Sequence, residues 1–163
     1  MAKLIAVCGK ICSGKTYYTR RLSKEENAVV LSIDEITMDL FDNRLDERHD
    51  EMVARIRVYF MKKAAEMVQA GCSVILEWGF WTRESRREMA EFCRARGIAC
   101  QWHYVDVDDE TWTQNIEERN ARVLRGEGGS DYYMDEGLMN KLLSLWEAPS
   151  DEEIDVRYTP KRR

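Results

Sequence analysis

The eight residues Gly9-Lys-Ile-Cys-Ser-Gly-Lys-Thr16 carry the most chemical information in the chain. They satisfy the pattern G-x-x-x-x-G-K-[ST] at every fixed position, and each fixed residue has a physical task. Gly9 and Gly14 permit a backbone that turns successive N–H groups inward, including those of Lys10, Ile11, Cys12 and Ser13. That makes an anion nest at a helix N-terminus. Lys15 brings a point charge to the β and γ phosphates, and the Thr16 hydroxyl is a hard oxygen ligand for magnesium. The pattern therefore predicts a site for a nucleoside triphosphate with Mg2+.

Three further groups could turn binding into transfer. Asp34, in Leu31-Ser-Ile-Asp-Glu35, can orient an acceptor hydroxyl and take its proton. It can equally cap the segment that follows, and Glu35 is the neighbouring alternative. Glu77 ends the apolar run Val74-Ile-Leu-Glu77, as a Walker B acid does when it holds magnesium through water. A salt bridge to a cleft arginine would also satisfy a carboxylate there. Arg119, Arg122 and Arg125 recur every three residues before Gly126-Glu-Gly-Gly129. They read either as a solvated helix face or as a hinged lid carrying Arg119 and Arg122 over the nucleotide. Trp78, Phe80 and Trp81 could form a wall for an acceptor or a plug between helices. Of Arg83, Arg86 and Arg87, one is expected to point into the cleft and the others into solvent.

Short apolar strands alternating with amphipathic helices must hold these groups. The pattern predicts strands over Lys3–Cys8, Ala28–Ser32, Ser73–Leu76, Ala99–Val107 and Ile154–Tyr158, ahead of the basic tail Lys161–Arg163. Helices are expected over Lys15–Leu22, Glu51–Ala70, Thr82–Arg96, Asp108 or Asp109 through Arg119, and Met134–Trp146. Such alternation implies an α/β fold with a parallel sheet covered on both faces. Ligands then bind at the carboxyl ends of the strands, where Gly9, Asp34, Glu77 and Asp106 should gather.

The chain has 163 residues, 44% of them hydrophobic, which suits one domain, 1–163, with a lid around 119–135. No stretch approaches the length of a membrane span, so no membrane partner and a cytoplasmic location are expected. A net charge of −5 argues against a nucleic-acid partner, which calls for a basic surface. Cys8, Cys12, Cys72, Cys93 and Cys100 include no Cys-x-x-Cys pair. They read as small buried hydrophobes, except Cys12, which lies inside the phosphate loop and reads as a plain loop residue or an oxidisable thiol. Nothing in the sequence fixes an oligomeric state.

At this point the chain resembles the small bacterial P-loop kinases related to chloramphenicol phosphotransferase, zeta toxins and 5′-hydroxyl polynucleotide kinases. It is most similar to their bacterial relatives described as AAA-type ATP-binding proteins or predicted kinases. The resemblance is carried by Gly9–Thr16, Ser32-Ile-Asp34, Leu76–Arg83, His103–Val107, Glu118–Arg122 and Trp146–Pro149. It implies a three-layer, adenylate-kinase-like fold with five parallel strands, an acceptor-activating Asp34, and lid arginines at Arg119 and Arg122. It also implies that the segment ending at Pro149 lies near the adenine. One departure is that several relatives carry an arginine a few residues beyond the aspartate, whereas here the first is Arg44. The resulting expectation is an ATP-dependent phosphotransferase acting on a hydroxyl of a small molecule. The alternatives are a nucleotide-binding switch or slow ATPase serving a protein partner, and a nucleic-acid end or nucleotide-sugar kinase.

Overall fold

The computed structural model describes residues 1–42, 44–129 and 131–161; Arg162 and Arg163 of the basic tail lie outside the described residues. Five strands form one sheet: β1 (Leu4–Cys8), β2 (Val29–Ser32), β3 (Val74–Gly79), β4 (Cys100–Val105) and β5 (Val156–Tyr158). Their order is β2-β3-β1-β4-β5, and every pairing is parallel. A parallel sheet needs both faces covered, and the sequence of β1 meets that demand. All five of its residues, Leu-Ile-Ala-Val-Cys, are fully buried.

The described residues form six α-helices: α1 (Lys15–Glu26), α2 (Ile33–Phe41), α3 (His49–Gln69), α4 (Arg83–Ala95), α5 (Asp109–Leu124) and α6 (Glu136–Ser144). On one face Leu4, Ala6, Val74, Leu76 and Trp102 pack with Ala64 and Ala65 of α3 and with Met89 and Cys93 of α4. On the other, Ile5, Val7, Ile75 and Val105 pack with Tyr18 and Leu22 of α1. The period-two alternation along each strand divides these sets. Because β1 pairs with both β3 and β4, the chain leaves β1 at the point where strand order reverses. That point is where open α/β sheets form their ligand crevice.

Caps fix where helices begin. Thr82 accepts from the Ser85 N–H at 3.1 Å, and Asp108 accepts from the Thr111 N–H at 2.7 Å. The reading of Asp34 as a cap gives way to Ser32, whose hydroxyl accepts from the Glu35 N–H at 3.3 Å. Asp34 therefore sits in the first turn of α2, a helix the sequence reading left as an undefined segment. Other bounds shift at their ends: α1 runs on to Glu26, α3 starts at His49, β4 stops at Val105 and α6 is confined to Glu136–Ser144.

Arg86 is the buried arginine of its group. Its guanidinium is held by two carbonyls and a carboxylate in the loop after β3 and the segment before β5, so Arg86 is not free to enter the cleft. It is 2% exposed, donates from Nη1 to the Phe80 and Glu147 carbonyls at 3.0 and 2.9 Å, and pairs with Glu153 at 2.9 Å. It thus joins the loop after β3 to the segment before β5. Removing one member of a buried ion pair strands the other. Arg86→Ala should lower stability by about 3 kcal/mol, read as an earlier midpoint in urea unfolding.

Candidate active site

The loop from Gly9 to Thr16 departs from β1 and delivers α1, as its pattern requires. Cys12 and Gly14 adopt left-handed φ angles of 57° and 91°. Gly14 is the residue at which α1 starts, with no side-chain cap to occupy the helix N–H groups. Those groups stay available to an anion. A Cβ on Gly9 would lie 2.7 Å from Ser13 Oγ and 3.0 Å from the Val105 carbonyl, so only glycine fits. The Gly9 N–H donates to the Gly79 carbonyl at 3.2 Å, which ties the loop's origin to the end of β3.

Glu77 faces the α1 side of the sheet. Its Oε1 accepts from the Thr16 hydroxyl at 2.6 Å and its Oε2 from the Thr19 hydroxyl at 2.9 Å. The Lys15 ammonium donates to the carbonyls of Gly9 and Lys10 at 2.9 and 2.8 Å. Burial pushes the Lys15 pKa down to about 8, against the raising fields of Glu77 and Asp34. Asp34 is exposed at the start of α2 and close enough for its charge to reach Lys15. The structure thus brings Lys15, Thr16, Glu77 and Asp34 to one end of the sheet. Asp106 reaches the same edge but is engaged by Arg157.

Thr16 and Glu77 offer adjacent hard oxygens, the donor type magnesium prefers. Among the described residues no group of three or more His, Cys, Asp or Glu side chains is arranged to hold a metal. A magnesium ion fitting here would take its remaining ligands from phosphate oxygens and water, which is how it usually binds with nucleotides.

The other wall is α5, and the sequence reading saw only its arginines. Trp112 donates from its indole to the Ile11 carbonyl at 2.7 Å, and Asn115 donates to the Cys12 carbonyl at 2.9 Å. Lys10 lies 4.1 Å from the Trp112 ring centre and 3.6 Å from Asp109. α5 therefore grips the outside of the phosphate loop. Arg119 reaches Cys12 Sγ at 3.6 Å, pairs with Asp131 at 3.3 Å and lies 4.9 Å from the Tyr132 ring. Arg122 pairs with the second Asp131 oxygen at 3.4 Å and remains more exposed. Arg125 turns instead to Glu127. Asp131 and Tyr132 went unread because their segment looked like a glycine-rich linker; an acid beside two arginines was the available signal.

Of the three aromatics after Glu77, Phe80 is 3% exposed and packs edge-on against Trp102 at 5.0 Å. It is a plug. Trp81 folds its indole back over Gly79, where a Cβ would come within 2.4 Å of it. Trp78 is half-buried between Phe60 and Phe80. Pro149 is buried, and the segment before it is held to the loop after β3: the Glu147 N–H donates to the Trp81 carbonyl at 2.8 Å, and the Glu147 carboxylate accepts from the Arg83 N–H at 2.6 Å. The proline beside the phosphate loop is Pro160, 3.9 Å from where a Gly14 Cβ would stand.

Fold and site together define a P-loop domain of the kinase type. The chain belongs to a family described as an AAA domain, matched over residues 4–131. Its fold is similar to a sugar kinase from Janibacter sp. HTCC2649, with TM-score 0.66, 16% identity, and 98% of this chain and 86% of that one covered. It is similar to a gluconokinase from Sinorhizobium meliloti 1021, with TM-score 0.64, 13% identity, and coverage of 99% and 84%. It is also similar to the APS kinase of Mycobacterium tuberculosis in complex with AMPPNP and APS, with TM-score 0.65, 18% identity, and coverage of 99% and 90%. No curated protein matches the chain. Among the described residues no helix is long and apolar enough to cross a membrane.

The Lys15 shift has a measurable sign. Its pKa falls from 10.5 to about 8 on folding, so within that window the unfolded chain binds more protons. The Lys15 contribution to stability of the nucleotide-free protein should rise with pH there. The difference in thermal stability between wild type and Lys15→Met should move in favour of wild type as pH rises between those limits. The comparison separates Lys15 from Cys8 and Tyr104, whose raised pKa values act in the opposite direction.

Proposed function

We propose that the protein transfers the γ-phosphate of ATP to a hydroxyl group of a small molecule. The observation that carries this reading is the convergence of Lys15, Thr16, Glu77 and Asp34 on one cleft, with the charges of Glu77 and Asp34 both acting on Lys15. An ATP-binding switch needs a phosphate loop and a metal support. It does not need a free carboxylate across the cleft from them. The kinases that share the fold, one of them holding AMPPNP and APS, support the same reading.

The backbone N–H groups of residues 9–16 would bind the phosphates, with Gly9 and Gly14 setting the curvature and Lys10, Ile11, Cys12 and Ser13 supplying donors. Lys15 would exchange its two loop carbonyls for phosphate oxygens. Thr16 and Glu77 would hold magnesium, directly and through water. Bound there, the ion supplies positive charge that neutralises the phosphate oxygens as transfer proceeds. Asp34 would orient the acceptor hydroxyl and take its proton. Arg119, already against the phosphate loop, would compensate charge on the transferring group, and Arg122 would follow when Asp131 releases it. The segment 119–135 then acts as the lid of a single domain. Pro149 would serve the adenine only indirectly, through the loop after β3, while Pro160 lies beside Gly14. A net charge of −5 favours small acceptors over nucleic acid.

The test is ATP consumption over a library of hydroxylated metabolites and antibiotics. Asp34→Asn should keep ATP affinity and lower transfer by roughly 10²–10⁴-fold; retained turnover would mean that another base acts. Lys15→Ala should abolish the thermal shift produced by Mg-ATP. In wild type, ATP affinity should fall as pH rises past about 8, where free Lys15 loses its proton.

A further inference from the structure

Burying a hydrogen-bond donor without a partner costs free energy, so each such donor needs a reason. Two of them are Arg57 Nε on α3 and Trp78 Nε1 on β3, both buried and without a hydrogen bond. Among the described residues no hydrogen bond, ion pair or ring contact engages the Arg57 side chain. Its helix neighbours are satisfied: Arg55 pairs with Glu51, and Lys63 with Glu66.

Topology puts both donors towards the end of the sheet that carries the phosphate loop. α3 returns from the cleft edge to the start of β3, so it runs against the strands. From Gln69 to Arg57 is about 18 Å along the helix, close to the length of the six residues of β3. Phe60 and Trp78 stack with ring centres 6.3 Å apart, which fixes the alignment. Arg57 stands one turn nearer the cleft than Phe60, on the helix face that Val53, Phe60 and Ala64 turn to the core. Helical side chains lean towards the helix N-terminus, here towards the edge that carries Asp34. The strand also singles out Trp78: Val7 pairs with Glu77 and Cys8 with Gly79, so Trp78 is the extra residue of a bulge. Bulges beside sites re-aim a side chain. Ile33, next to Asp34 in sequence, belongs to the apolar cluster against which Trp78 packs.

An arginine Nε and an indole nitrogen are donors only. What completes them is an acceptor of hydrogen bonds, and a half-buried guanidinium with no carboxylate beside it calls for an anion. We propose that Arg57 and Trp78 form the acceptor subsite and that the acceptor is a hydroxylated molecule bearing a carboxylate or phosphate group. This rests on the phosphotransferase reading and narrows its substrate to anionic alcohols. Arg57 holds the anionic group, Trp78 donates the second bond, and the hydroxyl is left facing Asp34.

The test uses ¹⁵N-labelled full-length protein saturated with magnesium and a non-hydrolysable ATP analogue, which fills the phosphate loop. Methyl phosphate, acetate and neutral glycerol are titrated in separate arms. The Trp78 indole signal is identified by its absence from Trp78→Phe, and the Arg57 Nε–H signal by its absence from Arg57→Gln. Both should move on one binding curve with methyl phosphate or acetate, and the anion that moves them distinguishes the two chemistries. Glycerol should leave them in place. Arg57→Gln should weaken the Trp78 response roughly tenfold to a hundredfold, with Arg57→Lys between it and wild type. The proposal is overturned if neither anion moves the signals, if glycerol moves them equally, or if the Trp78 response survives in Arg57→Gln. If the ATP analogue leaves the amides of residues 9–16 unperturbed, the phosphotransferase reading fails by itself. The anion titration is then read in the nucleotide-free protein against the same criteria.

Discussion

A carboxylate at the end of a buried strand is costly unless it is partnered. Glu77 meets that condition by accepting from Thr16 at 2.6 Å and from Thr19 at 2.9 Å. Those bonds join β3 to the first turn of α1, so they also fix where the phosphate loop ends. The loop's other end is fixed by the Gly9 bond to Gly79, two residues beyond Glu77 on the same strand. One strand terminus thus sets the loop, the metal-supporting oxygens and the field that keeps Lys15 charged despite its burial. The position of Asp34 matters because that frame is already set.

Two walls differ in how they are built. On the α5 side Trp112 and Asn115 hold the loop carbonyls and Asp131 shares its two oxygens between Arg119 and Arg122, while Arg119 Nε is buried without a partner. Asp131 thus holds both arginines of the proposed lid. On the α3 side Arg57 and Trp78 keep buried donors without partners.

The strands and the phosphate loop were legible because their causes are local. A run such as Leu4–Cys8 has only one environment that suits it, and the fixed residues of the loop follow from phosphate chemistry. The alternation of apolar runs predicted five strands, the family resemblance implied the same number, and the sheet has five. Helix α2 was missed because its cap is a serine one residue before an isoleucine, and the carboxylate of Asp34 drew the capping role instead. Trp112 and Asn115 were missed because their partners are backbone carbonyls more than a hundred positions away. No spacing rule predicts such contacts. Arg57 was hidden for the same reason: among the charges of α3 its sequence position looks like any other, and only burial and an absent partner distinguish it.

The central claim is transfer of the γ-phosphate to a small hydroxylated molecule, and ³¹P NMR of ATP with a fractionated small-molecule extract tests it most directly. The account predicts that the γ resonance declines while a new phosphate-ester signal grows in the same proportion, with ADP as the second product. Growth of inorganic phosphate alone, at a rate indifferent to the extract, would contradict it and leave a nucleotide hydrolase.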